Sequence, residues 1–196
     1  MKYGEVDLGQ VEALLNKLGG MEVLRAILSD ALNINVSVAK TGRMITVGLY
    51  KSANQARLAL ELMGCKIVEM ADGLLDKINF AASIKEEPEF VMISAAEVGF
   101  IRQFTIAEIL QYVQKIGLVK CLATDVPAIR LACLDQPSRK GWHIGTDPVI
   151  DDSGDFHMFW LWHDQEGPQI MSEYGGFDGQ HSPGDVFIFR RRKQTA

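Results

Sequence analysis

The run Phe156-His157-Met158-Phe159-Trp160-Leu161-Trp162-His163 constrains the fold more than any other stretch of the chain. It is bracketed by Asp151-Asp152-Ser153-Gly154-Asp155 on one side and Asp164-Gln165-Glu166-Gly167-Pro168 on the other. Asp, Ser and Gly hydrogen-bond locally or accept positive backbone angles, so both flanks read as turns. A short apolar, aromatic-rich segment between two turns is a strand. With side chains alternating, Phe156, Met158, Trp160 and Trp162 share one face and His157, Phe159, Leu161 and His163 the other. Both faces are apolar at their centres, which predicts a central strand of a sheet rather than an edge.

The surrounding pattern extends this into an α+β fold. Trp142-His143-Ile144, Gln169 to Tyr174 and Val186 to Phe189 read as further strands, separated by Gly-, Pro- and Asp-rich turns at spacings typical of an antiparallel meander. Ile129 to Leu134 is also an apolar run of strand length. Earlier, Phe90 to Ser94 follows Pro88 as a compact strand. Thr105-Ile106-Ala107-Glu108 is the clearest capping box, opening a helix that buries Ile106, Ile109, Leu110 and Val113 and stops near Gly117. Ser52 with Gln55 opens another helix, and Ala71 to Ile78 suggests a short one. Upstream, Ile34 to Val38 and Met44 to Tyr50 are β-branched runs separated by a turn, as in a hairpin.

At the N-terminal end, Asp7 and Gln10 have capping-box spacing. Leu14, Leu15 and Leu18, then Leu24, Ile27 and Leu28, recur at helical spacing on either side of Gly19-Gly20. This is an ordinary helical hairpin rather than a DNA-reading helix-turn-helix, because residues 1–32 carry three basic and five acidic side chains. Residues 83–88, Ser-Ile-Lys-Glu-Glu-Pro, are the most polar stretch between apolar segments. They suggest a soft boundary between a helical and hairpin part, 1–87, and a helix-backed antiparallel sheet, 88–196.

Composition restricts the functions. Three cysteines, Cys65, Cys121 and Cys133, stand far apart without CxxC spacing, so neither a disulfide framework nor a cysteine zinc site is indicated, and a reducing cytoplasm is the expected home. No apolar signal stretch or membrane-spanning run is expected. Residues 88–189 hold six basic against fourteen acidic side chains. An acidic body repels a nucleic-acid backbone, so Arg190-Arg191-Arg192-Lys193 reads as a solvated basic tail before it reads as a phosphate contact. Phosphate-cradling glycine loops and a Gly-x-Ser-x-Gly nucleophile elbow do not occur.

Histidines and acids supply the remaining candidates. His143, His157 or His163 with Asp147, Asp155 or Asp164 would form a general acid/base pair, with or without a metal. No metal site is expected, however. His157 and His163 stand roughly 20 Å apart along a strand, short-spaced pairs such as HxH are lacking, and the Asp-rich turn does not have calcium-loop spacing. Cys133 reads as a buried, inert thiol. The residues 175–184 form the longest irregular segment, and loops on a rigid sheet often bind ligands. Trp142, Trp160, Trp162, Phe177 and His181 are therefore the candidates for contact with a protein or small-molecule partner.

The segments Asn16-Lys17-Leu18-Gly19-Gly20-Met21-Glu22, Ile93 to Phe100 (Ile-Ser-Ala-Ala-Glu-Val-Gly-Phe), Leu134-Asp135-Gln136-Pro137 and Val186 to Arg191 resemble, in this order, a group of short bacterial hypothetical proteins. The resemblance spans most of the chain and its motifs are structural. It implies no activity, cofactor or catalytic residue, and the tryptophan and histidine content of 156–163 goes beyond that group's pattern. The expectation is an uncharacterised soluble bacterial protein that binds a partner without a cofactor. An enzyme with His/Asp hydrolytic chemistry is the alternative, and nucleic-acid binding through the tail a second.

Overall fold

A computed structural model describes residues 8–18, 20–29, 42–176 and 178–193. Its contacts divide the chain into residues 1–36 and 37–196. The first unit contains α1 (Leu8–Leu18) and α2 (Met21–Leu28). Gly20, at φ +88°, makes the turn between them and donates its N–H to Leu15 O at 2.8 Å. Asp7, Gly19 and the Ile34 to Val38 segment lie outside the described residues.

The second unit is α+β. Along the chain come β1 (Arg43–Met44), α3 (Ala53–Leu62), β2 (Lys66–Ile67), α4 (Glu69–Leu75), β3 (Glu89–Ser94) and β4 (Phe104–Thr105). Then follow α5 (Ile106–Lys115), β5 (Leu118–Val119), α6 (Val126–Ala132), β6 (Lys140–Ile144), β7 (Val149–Ile150), β8 (Phe156–Asp164), β9 (Gly167–Tyr174), β10 (Gln180–His181) and β11 (Val186–Arg191). One sheet runs in the order β1-β3-β11-β6-β8-β9-β2, with β5 added to β11 and β7 to β8; β10 and β4 form a separate ribbon. No described helix is long and apolar enough to cross a membrane.

The expected meander exists as β6-β8-β9, where His143 faces Trp160 and Trp160 faces Met171. The last strand departs from it. Instead of adding at the end, β11 lies parallel to β6 and antiparallel to β3, and β2 pairs with β9 in parallel, so the sheet is mixed. The compositional break at 83–88 falls inside this unit. Across it Arg43 pairs with Phe90 and Met44 with Glu89, and Val47 bridges Glu86, so residues 42–87 and 88–193 share one sheet and the division falls after Val36 instead.

Each face of the sheet carries its own core. Phe90, Ile144, Phe159, Leu161, Ile170 and Ile188 pack with Ala56 and Leu60 of α3, Leu74 and Leu75 of α4, and Val126 and Ile129 of α6. Val91, Ile93, Phe187, Phe189 and Met158 on the other face pack with Ile106, Ile109, Leu110 and Val113 of α5. The strand alternation is what sorts neighbours such as Phe187 and Ile188 into different cores. At the start of α5 the Thr105 side chain accepts from Glu108 N while Glu108 accepts from Thr105 N, the full capping box.

Two expected strands take other forms. The run Ile129 to Leu134 lies largely in the helix α6. Pro127 sits in the first turn, where its missing N–H costs nothing, and Val126 to Arg130 are all buried. A short run buried at every position, as Val126 to Arg130 are, carries no period that separates helix from strand. Of Met44 to Tyr50, only Met44 is in a strand and Val47 in a bridge, because Gly48 turns the backbone to φ +72°.

Candidate functional site

The four histidines occupy very different surroundings. His143 on β6 stands opposite Trp160 of β8 and beside Phe187 of β11, and its ring stacks on both, with centroids 6.0 Å and 5.0 Å away. His181 on β10 is set by pairing with Phe104. The Ser182-Pro183-Gly184-Asp185 turn then reverses the chain, with Asp185 N–H donating to Ser182 O and Ser182 N–H to Asp185 Oδ2, each at 2.9 Å. Bonds from Ala95 N–H to Asp185 O (3.0 Å) and Ala96 N–H to Pro183 O (2.7 Å) fasten this turn to the end of β3.

These elements converge on one cluster. The His143 and His181 rings meet edge to face at 4.7 Å between centroids. His143 Nδ1 lies 2.8 Å from Glu173 Oε1 on β9, and His181 Nδ1 lies 3.4 Å from Asp185 Oδ2. His143, His181 and Asp185 each offer a nitrogen or oxygen within 4.8 Å of the other two, the one such group of potential metal ligands among the described residues. Burial pushes the His181 pKa down and the neighbouring His143 adds to the shift, against the pull of Glu173 and Asp185. Neutral imidazole is thus the favoured form of His181 near neutrality.

Partly exposed aromatics adjoin the cluster. The Trp160 and Trp162 rings are 5.5 Å apart, and both residues are partly exposed. A Cβ at residue 141 would lie 2.8 Å from the Trp160 ring, so glycine there lets the indole lie over β6. The Trp160 indole N–H is buried without a partner, an exception for a group that normally finds one. Trp142, by contrast, packs against the opposite core.

The other sequence candidates do not assemble. His157 is buried, with Nε2 3.0 Å from Asp151 Oδ2 and a ring contact to Tyr174 at 4.6 Å. Its partner is Asp151 rather than Asp155. Asp151 also accepts from Asp155 N and Ser153 N, which with His157 hold its pKa low, the Asp155 N–H contributing most. His163 Nδ1 lies 2.5 Å from Gln136 O, Asp147 pairs with Lys120, and Asp164 accepts from Trp162 Nε1 and Gln169 Nε2. None of the six named acid/base candidates thus pairs with another. Phe177 lies outside the described residues. Cys65, Cys121 and Cys133 are buried free thiols whose pKa values burial raises.

The basic segment is largely engaged in intramolecular pairs. Arg190 meets Asp125 through two nitrogens, at 2.7 and 2.5 Å, and Glu86 at 2.5 Å. Arg191 Nε donates to Glu89 at 2.6 Å, Lys193 to Glu86 at 2.7 Å, and Arg192 to Gln114 O at 3.3 Å. The acidic second half and the basic end are therefore partly each other's partners. Two open clefts, one of about 350 Å³ between Met70, Lys77 and Asp151 and one of about 570 Å³ between Asn79, Leu122 and Val149, lie at other residues than the histidine cluster.

Glu173 and Asp185 are the site residues that sequence reasoning missed. For Asp185 a signal existed: it stands four residues after His181 across a Pro-Gly turn, a spacing that returns the chain to the same place. Glu173 and His143 come together only through strand pairing. No family model matches the chain, nor does any curated protein or solved structure.

Proposed function

We propose that the chain is a non-catalytic binding module whose ligand docks where the sheet face carrying Trp160, Trp162 and His143 meets His181 of the β4–β10 ribbon. The observation that carries this reading is the juxtaposition of two partly exposed, mutually contacting indoles with the His143–Glu173 and His181–Asp185 pairs. Large rigid aromatics give contact area with little rotamer entropy to lose, and adjacent polar groups fix orientation. Against unaided His/Asp hydrolytic chemistry, His143, His157 and His163 take Glu173, Asp151 and the Gln136 carbonyl as partners rather than Asp147, Asp155 or Asp164. Against nucleic acid, three of the four residues from Arg190 to Lys193 are in ion pairs with the protein's own carboxylates.

Iodide quenching of tryptophan fluorescence tests the accessibility on which the reading depends. Strong quenching that falls when Trp160 and Trp162 are replaced by Phe is expected. Fully protected emission would sink the reading. Native mass spectrometry of gently purified protein would then show whether a retained ligand mass disappears in the Trp160→Ala variant.

A further inference from the structure

We infer that His143, His181 and Asp185 bind one divalent transition-metal ion, with Glu173 positioning His143. The inference deepens the binding-face reading, on which it rests for its location. A zinc-type ion holds nitrogen and oxygen ligands at about 2.0–2.2 Å, so two ligands of one tetrahedral ion stand roughly 3.4 Å apart. His181 Nδ1 and Asp185 Oδ2 are already 3.4 Å apart. With all three ligand atoms within 4.8 Å of one another, closing the set around an ion takes side-chain movement on the order of 1 Å.

The surroundings fit the same chemistry. A ligating histidine commonly gives its second ring nitrogen's proton to a carboxylate, which fixes the tautomer and makes the ligating nitrogen more basic. Glu173 Oε1, 2.8 Å from His143 Nδ1, stands in that relation and leaves His143 Nε2 as the coordinating atom. The set is also preorganised. His181 is 8% exposed and wedged against Phe104 and Phe187, while Asp185 is held by the backbone of its own turn. Two imidazoles and one carboxylate select zinc, cobalt or ferrous iron over calcium and magnesium, which prefer oxygen ligands throughout. Three protein ligands leave a coordination position for an oxygen of the docked ligand.

The test is titration of the chelator-treated full chain with Co²⁺, followed by its visible d–d absorption, with Zn²⁺ as competitor. One ion per chain, displaced by Zn²⁺, is expected. Glu173→Gln should weaken binding by about 10–100-fold, and Asp185→Asn by at least as much. Asp185 is a third exposed, and the asparagine oxygen can still accept from Ser182 N–H, so this variant keeps the fold where a histidine variant could lose it. In parallel, Zn²⁺ should shift the imidazole NMR signals of His143 and His181 while leaving those of His157 and His163 in place. Absence of a saturable band, or a band that Asp185→Asn leaves unchanged, overturns the proposal. Iodide quenching separates the two readings: accessible tryptophans without an ion remove the metal and keep the docking face, and protected tryptophans with one bound ion do the reverse.

Discussion

Gly48 and Gly64 offer a matched pair for measuring what a close backbone approach is worth. Their φ angles are nearly the same, +72° and +69°, so alanine meets the same left-handed backbone at both. That costs roughly 1–2 kcal/mol, of which about 0.4–1 kcal/mol is offset by the smaller entropy of the unfolded alanine chain. At residue 64 the new Cβ has nothing within 4 Å. At residue 48 it would stand 2.1 Å from Ile84 O and 2.4 Å from Ile84 C, both backbone atoms. The 84–85 backbone must then retreat by roughly 1.3 Å or more to reach ordinary contact. Retreat pulls on the reciprocal bonds between Val47 and Glu86, at 2.9 and 3.3 Å, each worth about 1 kcal/mol net. Gly64→Ala should therefore cost about 1 kcal/mol and Gly48→Ala about 3 kcal/mol. The chain's three tryptophans, Trp142, Trp160 and Trp162, all lie in the 37–196 unit, so urea unfolding followed by their emission reports on that unit. With a slope near 2 kcal/mol per molar, the two midpoints should differ by about 1 M. Equal shifts for the two variants would refute the steric reasoning.

Two further outcomes test the electrostatics. Arg190→Gln leaves Asp125, 1% exposed, as a buried charge without its main partner and should cost about 3–5 kcal/mol, whereas adding Asp125→Asn to it should restore part of the urea midpoint; a double variant no better than the single one counts against an uncompensated charge. Glu89 is held below the ordinary glutamate pKa, chiefly by Arg191 and then by the Gly42 N–H. Because the folded value is the lower one, its contribution is complete above the unfolded chain's value and is lost as pH falls through the folded value. Glu89→Gln should therefore flatten the acid-side decline of the urea midpoint, and an unchanged decline contradicts the assignment.

Local chemistry was legible where it was strong. The Thr105–Glu108 capping box, the Ser52 cap that accepts from Gln55 N and the two-faced strand at 156–163 each follow from signals within a few residues, and each is present. Residues 126–132 were not legible in this way. The burial of every residue from Val126 to Arg130 erases the period, and only Pro127 marked a helix start. The parallel partnership of β11 with β6 was equally hidden, since it depends on the sequence between them finding room elsewhere. The candidate site suffers most from this. His143 and His181 were visible as residue types, but their meeting depends on β6 lying beside β11 and on the turn ending at Asp185, and neither fact is local. The same holds for Arg190 to Lys193: four positive charges in a row look free until the folded chain sets Asp125, Glu86 and Glu89 beside three of them.

The position of β11 also orders events during synthesis. Residues 186–191 are the last strand of the sheet to leave the ribosome, yet they fill a gap in its middle, between β3 and β6. Until they emerge, β3 and β6 each present an open row of backbone donors and acceptors, bordered by residues destined for both cores. The β3 edge stays open from residue 95 onward and the β6 edge joins it once residues 140–144 are made, so the nascent chain must keep two open edges apart from each other and from neighbouring chains until residues 186–191 emerge. A stalled or truncated product thus carries two adhesive edges, and the final strand acts as the fastener that joins the halves.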